Sequence, residues 1–402
     1  MKFDSQLLNS LHERGFLYQF TDAEAMDRLF CNGEQISFYI GFDPTAKGLH
    51  IGHLLWIKLV DKLQRAGLRP IILCGGATGK IGDPTWKDKQ RVMLHENSVI
   101  ENAESIMQKL RQLISFDVGN NPAILVNNDD WLSKLGYMEF LREFGPLFSV
   151  NKMLTMDSVS ARLERQQHLS FLEFNYMLLQ AYDFLYLFEN HGCQIQIGGA
   201  DQWSNMIFGA DLIRRKTGEQ AFGMSIPLLT TASGTKMGKT EGGTVWLNED
   251  MTSPFDFWQY WRNVDDQDVP KLLRLFTDME LPEVSAAESM ICTKEINEFK
   301  IELADSATSF VHSNADLDRI KSMAQGVFDD SIENTIKLDA PMQLDEVLVK
   351  AKLAESKTAA KRLIEGNGVK IDDITATSYT QVIDKESIIS VGKKRLVKVS
   401  VA

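Results

Sequence analysis

The sequence predicts a doubly wound α/β domain built on a parallel sheet, followed by a helical domain and a small C-terminal α+β domain. Three observations carry this. Apolar β-like runs at 36–40, 70–74, 123–126 and 193–197 alternate with helical patterns, the signature of parallel strands joined by crossover helices. Beyond Ser253-Pro254 the pattern turns helical, with Trp258 and Trp261 three apart on one face and Leu272, Leu273 and Phe276 following. From Pro341 to Ala402 the charge reverses: 11 Lys and Arg stand against 8 Asp and Glu, a net of +3 in a chain whose total is -12.

With 402 residues, 44% of them hydrophobic, the chain has enough apolar surface for two or three cores. Its first ten residues lack the apolar centre of a signal peptide and the Arg-rich pattern of a transit peptide, and no segment approaches membrane-spanning length. A cytoplasmic protein with no membrane partner is the expectation. Cys31, Cys74, Cys193 and Cys292 are scattered without paired spacing, which predicts reduced thiols and neither a zinc site nor a disulfide framework. Clustered metal-ligating side chains and internal repeats are both lacking, so no protein-held metal and no solenoid are expected.

The first strand feeds the most informative stretch, Tyr39-Ile-Gly-Phe-Asp-Pro-Thr-Ala-Lys-Gly-Leu-His-Ile-Gly-His53. Gly41, Asp43-Pro44 and Gly48 are turn formers, and Leu54, Ile57, Leu59, Val60 and Leu63 then recur at helical spacing. This places His50 and His53 side by side on a helix's first turn, where free N–H groups and the positive end of the dipole favour a polyphosphate. Gly52 between them would let a flat base or ribose approach the backbone. Two surface histidines near a cap would read the same way. A second loop, Thr235-Lys-Met-Gly-Lys-Thr240, brackets a glycine with lysines and hydroxyls, so it can fold over a triphosphate, although a solvated surface loop has the same composition. Lys87 and Arg91, one helical turn apart, are further phosphate candidates.

Between Lys87 and Phe171 the pattern is mainly helical, and Phe140, Phe144 and Phe148 recur at i, i+4, i+8, a stripe that suits core better than interface. The run from Phe171 to Phe188 is apolar nearly all round and should be buried, yet Tyr176, Gln180 and Asp183 form a polar line along one face. Such groups need partners when buried, either another helix or a polar ligand. In the tail, residues 353–370 read as a basic helix, a Gly-closed turn and a strand, which is compatible with a plain solvated face or with an RNA contact.

Five motifs in order resemble the bacterial tyrosyl-tRNA synthetase family of class I aminoacyl-tRNA synthetases: Tyr39-Ile-Gly-Phe-Asp-Pro-Thr45, Gly75-Gly-Ala-Thr-Gly-Lys-Ile-Gly-Asp-Pro84, Leu178-Leu-Gln-Ala-Tyr-Asp183, Gly198-Gly-Ala-Asp-Gln-Trp203 and Lys236-Met-Gly-Lys-Thr240. The resemblance spans the chain. It implies a Rossmann-like catalytic domain at 1–229 with a helical insertion at about 87–170, a mobile loop and linker at 230–254, a helical anticodon-binding domain at 255–335 and a small RNA-binding domain at 341–402. The implied reaction joins L-tyrosine to ATP, with Mg²⁺ carried on the nucleotide, and then transfers tyrosine to tRNA(Tyr) in a homodimer whose interface includes 144–154. Tyr39 and Asp183 would hold the phenol hydroxyl, Asp83, Tyr176 and Gln180 the ammonium group, and Gln202 the carboxylate. ATP would meet Gly41, Asp43, His50, Gly52, His53, Lys87, Arg91, Asp201, Lys236 and Lys239. Thr45, His50, His53, Lys236, Lys239 and Thr240 would stabilise the moving phosphates, and Ser356, Lys357, Lys361 and Arg362 would face RNA. A non-catalytic RNA-binding relative is the rival from another class. Among enzymes, the tryptophanyl relatives and simple adenylyltransferases share His-Ile-Gly-His but lack the Tyr39–Asp183 pairing with a basic tail.

Overall fold

A central parallel sheet carries the first of two units into which the chain divides, 1–315 and 316–402. The computed structural model describes residues 1–83, 95–117, 119–240, 243–324, 335–338, 340–351, 353–354, 356–366, 368–372, 374–376, 378–391 and 395–401. Six strands build the sheet: β1 (Gln19–Phe20), β2 (Ser37–Phe42), β3 (Arg69–Cys74), β4 (Ile124–Asn127), β5 (Cys193–Gly199) and β6 (Phe222–Ile226). They lie in the order β1-β6-β5-β2-β3-β4, all parallel except β1, which pairs antiparallel with β6. From β2 the chain winds outward through β3 and β4, then returns to β5 on the other side of β2. The strand order therefore reverses beside β2, and in such sheets the crevice outside the carboxyl ends of the strands at that point is the ligand site.

The helix Ile51–Arg65 follows β2 and buries Ile51, Leu54, Leu55, Ile57, Leu59, Val60 and Leu63. Each such side chain contributes roughly 1.5–3 kcal/mol of burial free energy. The long helix runs over Phe171–His191, three residues beyond the apolar run. Ser170 and Glu173 form a capping box at its start, and Gly192 closes it in the left-handed region at φ 62°. Glu173 is buried and paired with the equally buried Arg162 at 3.1 Å, which fixes the helical insertion to the first turn of this helix. Phe140 and Phe144 are buried, and Phe148 packs partly buried against the same cluster, so the aromatic stripe is core.

The β-like run foreseen at 123–126 is β4, the edge strand of the sheet, between the helices Glu96–Leu113 and Asp129–Leu132. Other elements differ from the sequence expectation. β6, with the sequence Phe-Gly-Met-Ser-Ile, and the two-residue β1 were not foreseen; β6 is buried on both faces and so shows no alternation. The helices Pro254–Arg262, Val269–Phe276, Leu281–Ser289 and Ile296–Val311 belong to the first unit, whereas Leu317–Ala324 falls in the second.

The second unit is α+β. Its five-stranded sheet has the order 374–375, 369–371, 387–391, 395–401, 335–338, with the last pair parallel. The helices Leu344–Lys350 and Lys357–Glu365 cover it, burying Leu344, Val347, Leu348, Ala360 and Ile364 against Val369, Ile389 and Val399.

Candidate active site

After β2 the chain turns through Asp43 and Thr45, whose N–H donates to the Asp43 carbonyl at 2.8 Å, and reaches His50 as the N-cap of the helix Ile51–Arg65. His50 accepts the Gly52 N–H on Nδ1 (3.0 Å), and the His50 N–H donates to Nδ1 of His53 (3.1 Å). The two rings lie 3.9 Å apart at 32°. A neutral imidazole that accepts on Nδ1 carries its proton on Nε2, so both histidines present N–H donors. Burial, and then the proximity of His50, holds the His53 pKa well below the ordinary histidine value, which keeps that ring neutral. Gly52 lines the cavity, and a Cβ there would stand 2.8 Å from Cε1 and 3.0 Å from Nδ1 of His50, so glycine here also leaves room for the imidazole.

The second loop packs onto this turn. Ile51 N–H donates to the Val245 carbonyl, Leu247 N–H to the Leu49 carbonyl, and Val245 N–H to the Gly238 carbonyl at 3.0 Å. Gly238 takes φ 94°, a conformation that favours glycine, and its N–H reaches the Tyr260 hydroxyl at 3.3 Å. The strands Lys239–Thr240 and Gly243–Thr244 pair antiparallel; the side chains of Lys239 and Thr240 lie outside what is described, as do Lys87 and Arg91 entirely. Lys236 is exposed and lines the same cavity as the histidines.

The other end of that cavity is lined by Tyr39, Asp83, Tyr176, Gln180, Asp183 and Gln202. Asp183 is 2% exposed and receives Trp131 Nε1–H on Oδ1 (2.7 Å) and Asn128 Nδ2–H on Oδ2 (2.9 Å). Burial pushes its pKa up to about 7, with Asn128 and Trp131 pulling it back and Asp43 adding to the rise. The Tyr39 hydroxyl is equally buried and makes no hydrogen bond of good geometry; burial, then the Asp183 charge, drives its pKa well above the phenol range, while the nearby Gln180 side chain pulls it back. A buried polar atom without a partner is costly, and a polar ligand would supply what the chain does not. Tyr176 donates to Asp43 Oδ2 at 2.8 Å. Asn205 Nδ2 bridges Gln180 Oε1 (2.8 Å) and Gln202 Oε1 (3.0 Å), and Gln202 Nε2 donates to Asp83 Oδ2 at 2.5 Å. Asp201 lies against the Gly198-Gly199 turn at the end of β5, where a Cβ on Gly199 would come within 2.4 Å of its Oδ1; burial, followed by Asp83, raises its pKa.

One cavity of about 440 Å³ thus holds both ends, within the ~300–1,000 Å³ usual for small-molecule sites. It brings together Tyr39, Gly41, Asp43, Thr45, His50, Gly52, His53, Asp83, Tyr176, Gln180, Asp183, Asp201, Gln202 and Lys236. Sequence reasoning missed Asn128, Trp131, Thr78 and Asn205. Thr78 stands inside the glycine-rich motif 75–84, and its hydroxyl donates to Asp43 Oδ1 at 2.9 Å. The signal for the pair Asn128 and Trp131 was an amide and an indole directly after a strand. Among the described residues no three His, Cys, Asp or Glu are grouped to hold a metal ion, and no helix is long and apolar enough to cross a membrane.

In the second unit Ser356 is the N-cap of the helix Lys357–Glu365, accepting the Ala359 N–H at 3.2 Å. Lys357 pairs with Glu346 at 2.5 Å, Lys361 Nζ lies 4.3 Å from the Tyr379 ring centroid, and Arg362 is exposed.

Residues 32–329 match the family described as tRNA synthetases class I (W and Y), and residues 342–389 match the S4 domain. The chain is 44% identical over 417 aligned residues to a protein named tyrosine–tRNA ligase from Wolbachia sp. subsp. Brugia malayi, and 44% identical over 417 to one of the same name from Rickettsia rickettsii, each alignment covering 100% of both chains. Among solved structures, a C-terminally truncated Aspergillus nidulans mitochondrial tyrosyl-tRNA synthetase superposes with a TM-score of 0.72 at 29% identity, over 80% of this chain and 94% of its own. The parallel sheet with its reversal at β2, the histidine pair at the helix start and the full-length likeness agree: the chain belongs to the class I tRNA synthetases of the tryptophan and tyrosine family.

Proposed function

We propose that the chain is a tyrosine–tRNA ligase, which activates L-tyrosine with ATP and passes the tyrosyl group to the 3′-terminal adenosine of tRNA(Tyr). The single observation that carries the choice of amino acid is the buried, unpartnered Tyr39 hydroxyl in one cavity with Asp183. A substrate phenol donates to the Asp183 carboxylate and accepts from Tyr39, so both groups are paired at once. Phenylalanine leaves the Tyr39 hydroxyl without that donor–acceptor exchange and Asp183 with only its Asn128 and Trp131 donors, and tyrosyl-tRNA synthetases are themselves the standard example of this effect, with a discrimination of about 10⁵-fold. Asp83, Tyr176 and Gln180 surround the ammonium group with one anion and two neutral acceptors, and Gln202 orients the carboxylate.

In the first step a tyrosine carboxylate oxygen attacks the α-phosphorus of ATP, forming the acyl-phosphate bond as the bond to the β-phosphate oxygen breaks and pyrophosphate leaves. The nucleophile is already ionised, so the protein's contribution is placement and charge stabilisation. In this reading the Nε2–H groups of His50 and His53 and the Thr45 hydroxyl donate to the departing phosphates, and Lys236, Lys239 and Thr240 close over the pyrophosphate from the second loop. Asp201 takes the ribose hydroxyls. Mg²⁺ enters as part of the nucleotide substrate. In the second step a ribose hydroxyl of the tRNA attacks the carbonyl carbon and AMP leaves.

The S4 segment and the helical domain are read as RNA contacts, with Ser356, Lys357, Lys361 and Arg362 on the S4 face. The segment 144–154 is read as part of a homodimer interface, supported by exposed Tyr137, Met138, Leu141, Val150, Leu154, Phe171 and Leu172 on the insertion and the long helix. ATP/pyrophosphate exchange against tyrosine, phenylalanine and tryptophan tests the reading. Exchange with tyrosine alone supports it, and exchange with none of the three favours the non-catalytic relative.

A further inference from the structure

The second loop reaches the cavity as two successive hairpins that are held from opposite sides. In the first, Thr230 bridges to Lys236, the Met237 N–H donates to the Leu229 carbonyl at 3.0 Å, and the turn closes through the Thr231 N–H and the Thr235 carbonyl at 2.8 Å. The second is the pair Lys239–Thr240 and Gly243–Thr244, which runs on into Val245 and Leu247 and so onto the histidine turn. Gly238 is the junction. It is buried, and a Cβ there would stand 3.6 Å from Cβ of Ile51 and 3.8 Å from the Gly52 nitrogen, so the junction rests on the first turn of the histidine helix.

The first hairpin, which carries Lys236, is held by the helices that follow the loop. Asp268 is 3% exposed and occupies the N-cap of the helix Val269–Phe276, where an aspartate ordinarily accepts an N–H of its own helix. Its side chain makes no such cap; Oδ1 instead accepts the Ala232 N–H at 2.6 Å. Three residues on, Lys271 donates from Nζ to the Thr230 carbonyl at 2.8 Å. From the helix Pro254–Arg262, the Tyr260 hydroxyl accepts the Gly238 N–H at 3.3 Å. All three side chains bond to backbone, so what they fix is the path of the loop. Thr230 is the residue opposite Lys236 in the bridge, and holding it holds the strand against which that lysine lies.

We infer that Asp268, Lys271 and Tyr260 are positioning residues for the first chemical step, which hold the lysine loop from the helical domain so that Lys236 stands over the phosphate end of the cavity. This rests on the proposed tyrosine–tRNA ligase reading. None of the three lines the cavity, so each acts through the loop. A lysine on a loop that wanders must be brought back in the transition state, and contacts that fix the loop beforehand remove that cost. The tyrosine side chain binds at the other end of the cavity, so its binding is spared.

The test is Tyr260→Phe, which loses only the hydroxyl, beside Asp268→Ala and Asp268→Asn, each made in the unmodified protein and on a Lys236→Ala background. Purified full-length protein is assayed by ATP/pyrophosphate exchange. Tyr260→Phe should lower kcat by about threefold to tenfold and Asp268→Ala by about tenfold to a hundredfold, the losses expected for a neutral and a charged hydrogen bond, with KM for tyrosine kept within about twofold. Asp268→Asn, which retains an oxygen for the Ala232 N–H, should recover most of the second loss. With Lys236 already removed, Tyr260→Phe and Asp268→Ala should each cost less than about twofold, because they act through that lysine. Unchanged kcat, or equal losses on both backgrounds, overturns the inference; Tyr260→Phe alone decides it should Asp268→Ala not fold. No exchange by the unmodified protein would instead overturn the reading on which the inference rests.

Discussion

Tyr39→Phe is expected to make the protein more stable and a poorer enzyme by matching amounts. Its hydroxyl is buried without a partner, a condition that costs roughly 1–3 kcal/mol in the free protein. Substrate tyrosine relieves that cost by supplying a partner; deleting the hydroxyl relieves it without substrate. One penalty therefore appears in two measurements with opposite signs. The denaturant midpoint of the catalytic unit should rise by the equivalent of roughly 1–3 kcal/mol. At 1.4 kcal/mol per tenfold, kcat/KM for tyrosine in pyrophosphate exchange should fall by about 5- to 150-fold. For phenylalanine, which never relieved the penalty, kcat/KM should hold or improve. The reasoning fails if the midpoint drops, or if tyrosine and phenylalanine lose activity equally.

Asp183 supplies a pH signature. Its pKa is raised to about 7 in the folded chain, so the folded state holds this proton more tightly than the unfolded one; the group's contribution to stability is full at acid pH and is lost as pH rises toward 7. Tyrosine binding runs the other way, because only the carboxylate accepts the phenol proton, so kcat/KM for tyrosine should show an acid limb near pH 7 that Asp183→Asn abolishes while KM for ATP persists. Lys236→Ala and Lys239→Ala should each lower the single-turnover adenylation rate by about 10²-fold with tyrosine affinity retained, as measured by quenched flow; unchanged rates would refute the clamp. A chain ending at Ala315 should keep pyrophosphate exchange and lose tRNA charging. Ending it at 340 is the poorer cut, because the strand 335–338 would lose its parallel partner 395–401; loss of exchange in the 315 truncation would mean that the tail supports the catalytic fold.

How much of this was legible follows from the range over which each signal acts. β2 and the helix after it announce themselves locally, by an apolar run, turn formers and a 3.6-residue period, and the histidine pair falls where that pattern puts it. The polar line Tyr176, Gln180 and Asp183 was equally visible: Tyr176 meets Asp43 and Gln180 meets Asn205 inside the protein, and the same three side chains line the cavity. Asn128 and Trp131 were missed because an amide and an indole after a strand do not say where sheet order will carry them. Among the described residues β4 pairs with β3 and β3 with β2, and that sequence of pairings carries the end of β4 to the flank of a helix that begins more than forty residues later. The unit boundary was hidden likewise, since composition registers the basic tail but not a strand at 335–338 that waits for 395–401 to complete its sheet.

The glycine-rich motif 75–84 shows what its first two glycines leave room for. A Cβ on Gly75 would stand 1.9 Å from Asp43 Oδ1, and one on Gly76 would stand 2.3 Å from Asn127 Oδ1. Together with Gly52, whose space the His50 ring fills, these positions use missing side chains to let other side chains in. In this site glycine makes room for the protein's own polar groups before any ligand arrives, and that is why an alanine at any of the three should disturb the carboxylate and imidazole network rather than merely stiffen a loop.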